Sequence, residues 1–288
     1  MVDELYSYDI DYFEGMNPFM LSRWEHGVIA PSLSRKTALL RYLQYKTNTA
    51  FPCVTEYSVT DLENLICQKG VEALIGRKKE YILHFPSVSM SVENIQVYPL
   101  RNFQRMKDLI AINMDIHKAF NHSYTQVTFK QFQEWSLHPS NFFVAAEYKN
   151  SFIGLFFTLK LKPKIYEKII SFQMKKSEIE TKHFSLPNEA GSILLLSFYA
   201  LNNTTAVMLF VRYYAYLISN QKQILKIGGI TKSNEALKFA KSMNLKTVNK
   251  IVLDDDTVIE ARSQTLPEAL ASESVIKMLF PKQECEEE

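Results

Sequence analysis

Gly15-Met16-Asn17-Pro18-Phe19-Met20-Leu21-Ser22-Arg23-Trp24-Glu25-His26-Gly27, followed by Pro31-Ser32, is a stretch whose residue types and spacing point to chemistry. Gly15 permits the positive φ of a tight turn, Asn17 can cap the helix that follows, and Pro18 suits its first position. Leu21 and Trp24 lie three apart and share a core-facing side, which leaves Asn17, Ser22 and Arg23 outside. Gly27 then stops the helix. A short helix with polar groups near its N-terminus has the shape that fits a major groove.

Other chemistry is scarce. The histidines, His117 and His122 among them, show no metal-ligand spacing with carboxylates or cysteines, so no metal is expected. Cys53, Cys67 and Cys285 are too few and irregular for a disulfide framework, and fit a reducing cytoplasm. There is no Gly-x-Ser-x-Gly elbow and no Walker loop. Asp254-Asp255-Asp256 reads as a turn between strands, and the lysines from Lys162 to Lys182 as a solvated insertion. Eight glycines in 288 residues leave little material for Gly-rich phosphate cradles.

Composition limits the classes that remain. A chain 47% hydrophobic is not disordered, and 33 basic against 31 acidic side chains exclude a polycation that binds nucleic acid by charge alone. Asp3, Glu4 and Asp9 stand where a secretory signal would need positive charge. Gly191 to Ile218 is long and apolar, but Asn202, Asn203, Thr204, Thr205 and Arg212 interrupt it. It reads as a buried strand followed by a buried helix, not a membrane span.

Short helices are expected over Leu5–Phe13, Pro18–His26 and Ser34–Tyr45, and a longer one over Val59–Ile75 begun by Thr60-Asp61. Strands are expected at Tyr81–Phe85 and Asn94–Tyr98, then helices at Leu100–Phe120 and Thr128–Leu137. A hairpin joins Phe142–Glu147 to Phe152–Leu161 through Tyr148-Lys149-Asn150. After the polar insertion Lys162–Phe184 come strand Ser192–Leu201, helix Thr204–Ser219, strand Ile224–Ile230, helix Ser233–Met243 and strand Thr247–Leu253. The class is mixed α/β (α+β), a sheet flanked by helices with a small helical N-terminal region. Four segments are expected: helical 1–50, connector 51–93, mixed-sheet domain 94–262 and acidic helical tail 263–288.

The N-terminal string resembles the recognition helix of the Cro/repressor-type (XRE) helix-turn-helix family, through Leu21-Ser22-Arg23-Trp24-Glu25-x-Gly27 and Pro31-Ser32. The resemblance covers about twenty residues. It implies DNA contacts by Asn17, Phe19, Met20, Ser22 and Arg23, with Trp24 packed and Glu25 in an ion pair. The family's first helix would have to come from Met1 to Glu14.

From Asn94 to Glu260 the order of elements resembles the GNAT acyltransferase superfamily, as do Phe142-Phe143-Val144-Ala145-Ala146-Glu147 with Ile153-Gly154-Leu155, and Ile227 to Leu245. That resemblance implies an acetyl-CoA or longer acyl-CoA ligand between two splayed strands, Ser197–Leu201 being one. Its pyrophosphate would sit at a helix N-terminus. The implied cofactor residues are Phe198, Tyr199, Leu201, Thr204, Thr205, Ala206 and Asn234. Ala206 to Val211 lacks the family's glycines and basic residue. Glu189 and Tyr199 are the substitutes for the family's base and acid.

Three functions stay open. The first is a bacterial DNA-associated regulator whose GNAT-like domain binds acyl-CoA, with or without catalysis. The second is an active N-acyltransferase whose N-terminal helices bind substrate or form a homodimer. The third is a protein-interaction scaffold.

Overall fold

The computed structural model describes residues 1–49, 57–66, 71, 74, 94–102, 105–119, 127–253 and 256–279. The expected strand Tyr81–Phe85, the basic run Arg77-Lys78-Lys79, Cys53, Cys67, Cys285, His122, Asp254-Asp255 and Glu286-Glu287-Glu288 lie outside them.

A seven-stranded mixed sheet runs in the order β1-β2-β3-β4-β5-β7-β6. Its strands are β1 Ile95–Pro99, β2 Phe142–Tyr148, β3 Ser151–Leu161, β4 Gly191–Ala200, β5 Ile224–Thr231, β6 Lys246–Val252 and β7 Val258–Thr265. Only β4 and β5 pair in parallel. Lys149 and Asn150 both take positive φ, 48° and 61°, as a two-residue turn between right-twisted strands requires. The mixed α/β class expected from the sequence is the class observed.

Two apolar layers cover the sheet. One face carries α5 Val59–Leu65, α9 Asn203–Ser219, α10 Asn234–Ser242, α11 Leu266–Leu270 and α12 Glu273–Leu279. The other carries α6 Met106–Ala119, α7 Phe129–Leu137 and α8 Pro163–Ile170. α7 starts on a capping box, Thr128 with Gln131. α9 is nearly all apolar because its first turns lie against β3: a Cβ on Gly154 would come within 2.8 Å of Thr205 Cγ2. Among the described residues no helix is long and apolar enough to cross a membrane, and no group of three His, Cys, Asp or Glu is placed to hold a metal.

Several elements differ from expectation. Leu5–Phe13 is not one helix but parts of two, α1 Val2–Tyr8 and α2 Ile10–Phe13, broken where Asp9 is extended. Ser58, not Thr60-Asp61, caps α5, which ends when Ile66 becomes extended. The strand implied beyond the Asp254-Asp255-Asp256 turn was given no range; it is β7, whose Glu260 and Arg262 disguise a strand with Ile259 and Ala261 buried. The insertion Lys162–Phe184 is not merely solvated: its Tyr166, Ile169, Ile170, Ile179 and Phe184 are all buried under the sheet. The segment after Ser263 likewise places Leu266, Leu270, Val275 and Met278 in the core.

The N-terminal turn and helix form as read. Gly15 and Gly27 have φ of 72° and 68°, and α3 Pro18–Glu25 is capped by Asn17, whose Oδ1 accepts from the Met20 N–H at 2.8 Å. Ser32 caps α4 Leu33–Thr47. Arg35 on α4 donates to the carbonyls of Tyr12 and Glu14 and lies over the Trp24 ring. Trp24 is therefore half-buried beneath a cation, not packed in a core. Glu25 is exposed and makes no ion pair among the described residues, against the expected pairing.

Candidate functional site

The site begins with an interruption of strand pairing. β4 follows β3 along its length, Ser192 opposite Leu161 through Ala200 opposite Gly154. Its parallel pairing with β5 stops at Leu195 opposite Gly229. Beyond that pair Leu196 to Ala200 and Ile230 to Thr231 are not joined across the β4/β5 seam. Ser197 lies beyond the last β4/β5 pair, and Ile227 within the paired part, opposite Ile193.

A bulge shapes the β4 side of this opening. Phe157 pairs with Ser197 but Thr158 with Leu195, so Leu196 is the extra residue. As a result Leu196 and Ser197 both reach the α6 face, where Leu196 packs on the apolar layer and Ser197 Oγ lies 2.7 Å from His117 Nε2. His117, in the last turn of α6, has Tyr199 edge-on at 5.9 Å between ring centroids. Burial pushes the Tyr199 phenol above its ordinary range. His117, Ser197 and Tyr199 thus form one cluster under the open half of β4.

Two helix starts flank the same end of the sheet. Asn202 caps α9, its side chain accepting from the Thr205 N–H at 2.8 Å, so Asn203 and Thr204 head a helix immediately beyond the tip of β4. Ser233 caps α10 just beyond β5, and Asn234, named from sequence as a cofactor residue, is its first, exposed residue. Both N-termini bring first-turn N–H groups and positive dipole ends to the mouth of the opening.

Of the cofactor residues named from sequence, Phe198 meets Phe156 edge-on on the α9 face while Tyr199 points to the opposite face. Leu201 donates its N–H to Ile153, Thr204 is half-buried, and Thr205 and Ala206 are buried in the first turn of α9. The Thr205 hydroxyl oxygen is buried with no hydrogen-bond partner among the described residues. Glu189 precedes β4, where it accepts from the Leu186 N–H at 3.0 Å. It is therefore most of a strand, roughly 25–30 Å, from Tyr199, and the structure does not bring the two together.

The groove-reading set divides. Asn17 is used as the cap, Met20 Sδ accepts from Arg35, and Ser22 engages His26. Phe19, 71% exposed, and Arg23 above its ring remain on the outer surface.

His117 was weighed from sequence only as a metal ligand, and Ser197 was not singled out. Ser197 did carry a signal, being a hydroxyl inside the apolar run Ile193–Leu201. A small pocket on the same face is lined by Phe172, Met174, Lys175, Lys176 and Ile230, the last being the first β5 residue past the seam.

No family model and no curated protein matches the chain. Among solved structures, an aminoglycoside 6'-acetyltransferase type Ii is similar at 13% identity, covering 60% of this chain and 96% of that one, with a TM-score of 0.38. FeeM, an N-acyl amino acid synthase from uncultured soil microbes, is similar at 11% identity over 62% and 93%, TM-score 0.41. An aminoglycoside 6'-N-acetyltransferase complexed with coenzyme A gives 12% over 60% and 96%, TM-score 0.38. Likenesses this weak leave the reading of the site to its own geometry.

Proposed function

We propose that the chain is a GNAT-type acyltransferase, binding an acyl-CoA across the opening between β4 and β5 and transferring the acyl group to an amine. The observation that carries this reading is the end of β4/β5 pairing at Leu195 and Gly229, with the starts of α9 and α10 at the mouth. The residues present fit such a ligand. Past the last β4/β5 pair, Leu196 to Ala200 face the side on which an extended chain of amides would lie, as an added strand would. Asn203 and Thr204 N–H groups suit a pyrophosphate, and the buried Thr205 hydroxyl lies beside them. The glycines missing from Ala206 to Val211 are replaced by two helix starts and by Lys232 in the β5–α10 connection.

When bound, the thioester supplies the acyl group and a thiol leaving group. The chain supplies proton handling on the α6 face: His117 takes the proton of the incoming ammonium, directly or through Ser197, and Tyr199, edge-on to His117, protonates the leaving thiolate. Glu189, at the far end of β4, has no part in this step.

A thermal shift with acetyl-CoA and octanoyl-CoA tests binding: ligand at a hundred times its Kd should add about 2.7 kcal/mol of stability. Thiol release with a panel of amines tests transfer. No shift with either ligand sinks the reading. A shift without thiol release from any amine leaves a binding domain that has lost catalysis.

The DNA-associated reading rests on α3, which buries no residue and leaves Phe19 and Arg23 outward. A gel shift with the upstream region of the chain's own coding sequence tests it. Absence of a complex at moderate salt removes DNA from the function.

A further inference from the structure

The insertion between β3 and β4 is fixed to the sheet at several points. Tyr166 on α8 shares a 2.7 Å hydrogen bond with Ser263 of β7, in space left by the missing side chain of Gly228. Lys226 of β5 reaches Glu167 at 2.7 Å, and Asn249 of β6 donates to the Ser171 carbonyl. After α8 the chain turns through Phe172, whose φ is 60°, and lays Lys176 in the pocket it shares with Phe172, Met174 and Ile230. Lys176 is half-buried, and its ammonium has no carboxylate partner among the described residues. Two other lysines of the insertion have partners, Lys182 with Glu180 and Lys162 with the Lys182 carbonyl, and Lys164 and Lys168 are exposed. A long cation has thus been left in an apolar recess on the side where the seam opens.

We infer that Lys176 is an acyl acceptor within the chain, modified by the same acyl thioester that the β4/β5 opening binds. This rests on the acyl-CoA reading of that opening. The Lys176 Nζ, as free amine, forms a C–N bond to the thioester carbonyl carbon, the C–S bond breaks, and the nitrogen's proton leaves with the thiol. The products are Nε-acyl-lysine and free coenzyme A, with no oxidant or reductant needed. Acylation removes a charge from apolar surroundings and fills the recess beside Ile230 with the acyl group, which makes it a brake on the site. Apolar surroundings also push the Lys176 ammonium down to about 8. At neutral pH such a lysine has on the order of a hundredfold more free amine than one in water.

The test uses the whole chain incubated with acetyl-CoA or octanoyl-CoA, followed by intact mass and peptide mapping, with the thermal shift run in parallel. The expected result is one acyl group per chain, on Lys176. Neighbouring Lys175, which lines the same recess but is exposed, should stay unmodified in the peptide map. Lys176→Arg should abolish the gain while keeping the thermal shift, and Lys175→Arg should change neither. Where Lys176→Arg fails to fold, the wild-type peptide map decides. A thermal shift without acylation overturns the inference and leaves the binding reading standing. The inference also falls if acyl groups spread over many lysines as they do in the urea-unfolded chain. No thermal shift with either ligand overturns both.

Discussion

A histidine one hydrogen bond from a serine on an interrupted strand is a specific arrangement, and it makes the first prediction. His117→Gln removes the proton acceptor but keeps a polar side chain beside Ser197. Transfer should fall by about 10²–10⁴ in kcat, while the acyl-CoA thermal shift stays as in wild type; an unchanged rate takes His117 out of the chemistry. Gly228 makes the second. Its Cβ would run into the Arg262 carbonyl and the Tyr166 hydroxyl, so Gly228→Ala forces backbone or ring to move and should cost about 1–3 kcal/mol in urea unfolding. A neutral result would mean that α8 is not seated on β5. Sequence reading found the residues that announce themselves locally, such as Gly15 in its turn and Asn17 as a cap. His117 and Ser197 stand 80 positions apart, and nothing in either neighbourhood says that a bulge at Leu196 turns one toward the other.

Elements that obey a clean period were readable in advance: β2, β3 and their turn, α7 and α9; the Thr128 capping box and the Asn202 cap came only with the structure. The insertion was not, because Lys164 and Lys168 interleave with Ile165, Tyr166, Ile169 and Ile170, and polar composition hid an amphipathic helix. Ile169→Ala discriminates between the two descriptions. A solvated insertion would lose almost nothing, whereas the fully buried Ile169 should cost about 2–5 kcal/mol. The N-terminal helices carry a different device. Glu4 on α1 receives hydrogen bonds from Lys46 and Tyr42 of α4, both at 2.7 Å, and these hold its carboxyl down at about 2, from 4.5. A depressed carboxylate stabilises above its unfolded value and loses that contribution as pH falls through the folded one. The α1–α4 contact should therefore weaken between pH 4.5 and 2, the window these two values set. Glu4→Gln should flatten that part of the unfolding-midpoint profile; equal slopes in the two chains would show that the contact contributes no acid sensitivity.

The expected partition into an N-terminal helical region and a separate sheet domain becomes a mechanical question in the whole molecule. The helical region's own buried cluster is Leu5, Phe13, Ala38 and Tyr42, too little apolar surface to fold alone. α4 resolves this by facing two ways: Ala38 and Tyr42 close that cluster, while Leu40 belongs to the main core under α9. Ser34 reaches Glu273 of α12 at 3.1 Å and Arg41 reaches Glu268 of α11 at 3.8 Å, so residues near the two ends of the chain are packed together. These exposed polar links are individually weak, and the docking rests on Leu40 and its apolar neighbours. The consequence is cooperativity. Trp24 reports on the N-terminal helices and the fully buried Trp135 on the sheet, and the chain has only these two tryptophans. Trp135→Phe leaves the first probe and Trp24→Phe the second, and in each variant far-ultraviolet circular dichroism follows the whole chain. If α4 ties both parts together, the fluorescence and dichroism midpoints in urea should coincide within each variant. An earlier Trp24 transition would mean that the helices undock while the sheet stands, and α3 would then be presented by a module that opens independently of the β4/β5 seam.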